Sequence, residues 1–95
     1  MAIVEKTFYS PYVTTYRDVL NPAPVTGVIV DSIQFVAPLA ADTIELSVTP
    51  LGSESVDVNM SAGDTLYGPF IAYDLGEIEP DETVIVHERD KTITA

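Results

Sequence analysis

A chain of 95 residues holds one domain and one core, and with no cysteine it offers no disulfide scaffold, thiolate nucleophile, redox pair or Cys-based zinc site. Fifteen acidic against four basic residues give a formal charge of −11, which repels nucleic-acid backbones and anionic membranes alike. A hydrophobic content of 46%, rich in Val and Ile, argues against disorder in spite of that charge.

The opening stretch MAIVEKTFYSPYVTTYRD has no basic leader followed by an apolar run, so no targeting segment is expected. No uncharged apolar stretch approaches the ~18 residues of a membrane span. Phe8, Tyr9, Tyr12 and Tyr16 crowd into this stretch beside Ser10-Pro11 and ahead of Asn21-Pro22-Ala23-Pro24. Prolines at these places favour extended, poorly self-pairing backbone, and tyrosine is enriched at interfaces because it joins a large apolar ring to a polar tip. Residues 1–24 therefore read in two ways. They form one or two outer strands, with Tyr12, Thr14 and Tyr16 on one face and Val13 and Thr15 on the other, or an arm that packs on a neighbouring subunit by strand addition. In both readings Phe8, Tyr9, Tyr12 and Tyr16 are candidate interface residues, and residues 25–95 form the core of the domain.

Residues 25–36, VTGVIVDSIQFV, are dense in apolar side chains, as expected of a central strand covered on both faces or bent at Gly27, and Pro38 ends it. Alternation is clearest over residues 43–49, where Ile44, Leu46 and Val48 share one side and polar residues the other. Residues 55–60 repeat the pattern with Val56, Val58 and Met60, and Pro50-Leu51-Gly52-Ser53 supplies the hairpin loop between the two. In GDTLYGPF, residues 63–70, Gly63-Asp64 turns the chain and Gly68-Pro69 sets an edge or bend before Phe70 returns to the core. Tyr67 inside this corner is a further candidate interface residue. Residues 68–75 and 83–87 read as two more strands separated by an acidic loop, 76–82. No segment carries a helical stripe, because apolar residues recur at i+2 and β-branched residues dominate. About seven to eight short strands predict an all-β fold, an antiparallel β-sandwich or jelly-roll-like domain.

Chemistry is sparse. His87, the single histidine, has Glu88 and Asp90 nearby, but no serine has a nucleophile setting such as G-x-S-x-G, so an ordinary strand histidine is expected and the chain is not expected to be an enzyme. Asp74, Glu77, Glu79, Asp81 and Glu82 place five carboxylates in nine residues. A hard cation such as Ca²⁺ could take several of these oxygens, yet the spacing lacks the D-x-[DN]-x-[DN]-G pattern, and a solvated loop is the plainer expectation. No cofactor is expected, since the glycines are scattered singly and make no phosphate loop.

The stretches Ile29-Val30-Asp31-Ser32-Ile33-Gln34, Gly63-Asp64-Thr65-Leu66-Tyr67-Gly68-Pro69 and Glu79-Pro80-Asp81-Glu82-Thr83 lie within residues 25–88, about two thirds of the chain. This run resembles small β-sandwich virion proteins of tailed bacteriophages, which show an I-V-x-S-I-Q strand, a G-D/S-x-L-x-G-P corner and a closing strand after a P-G-D-like turn. Here Asp81 follows Pro80 directly, which departs from that turn. The resemblance implies a capsid decoration, cement, collar or tail-associated protein, located in the virion, whose partners are other virion proteins and further copies of itself. Two alternatives belong to other classes. A carbohydrate-binding or adhesive sandwich would stack sugars on Tyr67 and Tyr73, and an acidic inhibitor mimicking DNA would array its carboxylates along one face.

Overall fold

The computed structural model of the chain describes residues 3–7, 12–39 and 41–89. Period-two patterning becomes seven strands: β1 (Ile3–Thr7), β2 (Tyr12–Val19), β3 (Val25–Val36), β4 (Thr43–Pro50), β5 (Val56–Ser61), β6 (Thr65–Leu75) and β7 (Ile78–Glu88). Every pairing is antiparallel, and the strands form one sheet in the order β1-β2-β7-β3-β6-β4-β5. The all-β, antiparallel class is the one the alternation predicts, and no helix occurs among the described residues.

The sheet is continuous because β3 and β6 are long enough to belong to both of its halves. Val30 to Val36 of β3 pair with β7. Val25 and Thr26 pair with Tyr73 and Ala72 of β6. The C-terminal part of β6, from Phe70 to Leu75, pairs with β4. Register shifts in β3 between Thr26 and Val30 and between Val30 and Ser32 bend the shared strands where one half passes into the other.

A sheet without helices can bury one of its faces only against more sheet. Val30, Ile33, Phe35 and Val86 are nevertheless fully buried. The cover comes from the other half of the same sheet, which contributes Ile44, Leu46 and Val48 of β4, Met60 of β5 and Tyr73 and Leu75 of β6 to one core cluster. Tyr16 of β2 and Tyr73 of β6 mark the closure. Three strand spacings separate their strands, about 14 Å along a flat sheet. Their hydroxyls meet at 2.7 Å and their rings make an edge contact with centroids 6.3 Å apart, so each buried hydroxyl finds its partner in the other.

Of the two forms read for residues 1–24, the described residues take the outer strands, β1 and β2, and β2 places Thr14, Tyr16 and Val19 in the interior. Three expectations are corrected. The fifth strand starts at Val56 and includes Ser61, whereas the alternation suggested 55–60. The corner at 63–70 is only partly a corner. Gly63 at φ +90° turns the chain, with Ser61 N–H donating to Asp64 Oδ2 and Asp64 N–H to the Ser61 carbonyl, but β6 already begins at Thr65. Gly68 lies inside β6, where a Cβ would stand 2.3 Å from the Val30 carbonyl oxygen, so glycine is required by close backbone approach. The acidic loop shrinks to Gly76-Glu77, since Ile78, 1% exposed, pairs with Val19 and starts β7. Pro80 is tolerated there because the pairing of β7 with β3 starts only at Thr83.

Candidate functional site

The outward side chains of β2, β7, β3 and the start of β6 share one face, fixed by alternation and register. Val13, His87, Ser32 and Tyr67 stand in one row across the four strands. Thr15, Ile85, Gln34 and Thr65 form the next. Arg17, Thr83 and Val36 form the third. Their chain neighbours Thr14, Tyr16, Ile33, Phe35, Val84 and Val86 point inward and are buried, which confirms the facing. The three rows span roughly 14 by 14 Å between backbone positions.

No position in these rows is a carboxylate, on a chain that carries fifteen. Arg17 carries the formal charge of these rows. Most of the rows are half-buried by their lateral neighbours, while Tyr67 is 75% and Val36 41% exposed. The mixture of Val, Ile, Thr, Ser, Gln, Tyr, His and one Arg, without acids, shares the depletion of charge found at the centre of protein interfaces.

The outer face of the other half is the reverse. Asp74, Ser47 and Asp57 stand in one row, and Glu45 pairs with Asn59 in the next. Ser47 Oγ donates to Asp57 Oδ1 at 2.7 Å. Small side chains at Ala72, Ser47 and Thr49 leave a shallow furrow of about 240 Å³ that reaches Asp74. Carboxylates thus stand within the rows of one outer face, whereas on the other they only flank the rows, with the exposed Asp31 next to Ser32 and paired with Arg89 at 2.7 Å, and the exposed Asp81 two residues before Thr83.

The sequence candidates divide accordingly. Tyr67 lies at the margin of the acid-free face, in the row of His87 and Ser32. Tyr16 belongs to the core, 6% exposed, and is withdrawn as an interface residue. Tyr12 is placed in β2 opposite Glu88, its side chain lying outside the described residues, as do Phe8 and Tyr9 altogether. Tyr73 is 3% exposed and held by Tyr16, so no sugar stacks on it. His87 stands opposite Ser32, and no hydrogen bond joins them.

The proposed cation loop also disperses. Asp74 is exposed on β6, and neither Glu77 nor Glu79 joins the group in which Asp81 and Glu82 come within 4.8 Å of Asp42, a residue the sequence pattern did not single out because it precedes β4. Glu82 is buried at the inward position of β7 and accepts the Glu79 N–H at 2.9 Å. Burial pushes its carboxyl above the usual carboxylate value, and the charges of Glu79, Asp42 and Asp81 push the same way. No helix long and apolar enough to cross a membrane occurs among the described residues. No protein-family profile matches the chain, and searches of curated proteins and of solved structures return no significant match.

Proposed function

We propose that the chain is a non-enzymatic assembly protein of a virus particle, a capsid decoration or cement protein or a neck- or tail-associated one. The observation that carries the reading is the acid-free face. Acidic residues keep the rest of the surface hydrated and mutually repulsive, and this face is where a protein partner can come close without desolvating a carboxylate. The resemblance to small virion proteins supplies the kind of assembly, and its three stretches fall in β3, at the β5–β6 corner and in β7. Partners are then other virion proteins and further copies of the chain, with neither nucleic acid nor membrane involved.

Quantitative mass spectrometry of purified particles, scored against the major shell protein, tests the reading. A fixed ratio that survives a salt wash supports it, and the ratio separates shell decoration from a neck or tail position. Absence from the particles overturns it and favours the acidic-inhibitor alternative, for which Asp57, Asp74 and Glu45 offer the charged face.

A further inference from the structure

We infer that the acid-free face is covered in solution by a second copy of the chain, in an isologous contact whose two-fold axis runs along the strands between β3 and β7. The inference rests on the assembly reading and names its first partner. Charge selects the pairing. Docking this face against the other outer face would cover Asp57, Asp74 and Glu45 against the single guanidinium of Arg17, leaving carboxylates desolvated without partners. Docking it against itself covers none of these three.

The rows are also self-complementary about that axis. Rotation exchanges β2 with β6 and β7 with β3 while each row stays in place, within the roughly 30° at which aligned sheets pack. Tyr67 then lies over Val13 of the second copy, His87 over Ser32, and Ile85 over Gln34. Arg17 meets the far corner of the third row, where the exposed Asp64 follows Gly63 and is tied to β3 by the bond from Phe35 N–H to its carbonyl. Each copy therefore sets its Arg17 beside an acid at the partner's margin.

The footprint is small. With side chains and margins it is on the order of 400 Å² per copy, below the roughly 800 Å² of a standard interface, so the contact is a weak one that dilution reverses. Each copy carries −11, and salt that screens this repulsion tightens the contact.

Sedimentation of the full chain from about 5 to about 500 µM tests the inference across the range expected of so small an interface. The expected result is a monomer–dimer equilibrium that strengthens with salt. Gln34→Glu, which keeps the side-chain shape and sets a carboxylate in the middle row, weakens it at least about tenfold, whereas Asn59→Asp, the same charge change on the other face, leaves it within about twofold. Because the chain has no cysteine, Ser32→Cys gives one thiol per copy. Two such thiols lie close enough across sheets about 10 Å apart for a short bismaleimide to join them, and Asn59→Cys gives no such product. A monomer throughout the range overturns the inference, and so does equal loss from Asn59→Asp, which would reveal a front-to-back contact. A monomeric chain found in the particles overturns this contact alone. A dimer of a chain absent from the particles supports the contact and overturns the assembly reading.

Discussion

Replacing Tyr73 with Phe removes one oxygen from the core and leaves the ring in place. The Tyr16 hydroxyl, 2.7 Å from the lost partner and buried with it, is then without a hydrogen bond. Orphaning a buried hydroxyl costs about 1–3 kcal/mol, and Tyr16→Phe incurs the same cost from the other side. The double variant removes both hydroxyls, leaves nothing unpaired and costs less than about 1 kcal/mol. The two single losses therefore exceed the double loss, with a coupling of about 1 kcal/mol or more. In a domain of this size each kcal/mol shifts Tm by about 4–8 °C, so thermal melts supported by urea titrations resolve the cycle. Additive losses, with coupling below about 0.3 kcal/mol, would refute the reasoning, because hydroxyls three strands apart in the sheet couple only if its halves close on one core.

Three further outcomes follow from named groups. Glu82 has its carboxyl raised by burial, so the folded state holds this proton more tightly than the unfolded chain, and stability falls as pH rises from about the ordinary value of 4.5 through the raised one. Glu82→Gln keeps an acceptor for the Glu79 N–H, so its melts should equal or exceed wild type at neutral pH and the difference should close near pH 4, whereas a uniform loss at every pH would contradict the assignment. Gly68→Ala forces a methyl group to 2.3 Å from the Val30 carbonyl oxygen and should cost more than about 2 kcal/mol in a urea titration, while Gly52→Ala, at φ +77° in open space, costs about 1–2; the reverse ranking would contradict the close approach. Phe35→Ala empties a fully buried site and should cost about 3–5 kcal/mol by the same titration, and a loss below 1 would place Phe35 outside the core.

The strands were legible where apolar and polar residues alternate cleanly, as at Ile44, Leu46 and Val48. They were illegible where the inward position is polar. Glu82 occupies an inward site of β7 between Ile78 and Val84, and with Pro80 beside it the segment reads as an acidic loop. In β2 the alternation separates Thr14 and Tyr16 from Val13 and Thr15, but both sets mix threonine with bulky side chains, so the pattern does not tell which set is inward. The tyrosine that looked like a partner contact is a core residue for that reason. The acid-free face was hidden by distance along the chain. Its rows join residues near 15, 34, 66 and 85, which become neighbours only through the order β2-β7-β3-β6, and periodicity does not supply that order. A signal did exist, since the alternate positions 32, 34 and 36 and 83, 85 and 87 contain no acid in a chain where acids are frequent.

The most direct measurement is the copy number, in purified particles, of the wild-type chain, Gln34→Glu and Asn59→Asp, read by mass spectrometry against the major shell protein after a salt wash. The account predicts that wild type and Asn59→Asp are retained at one fixed ratio while Gln34→Glu is lost. Retention of Gln34→Glu at the wild-type ratio, or loss of Asn59→Asp in its place, would contradict the claim that this chain assembles through its acid-free face.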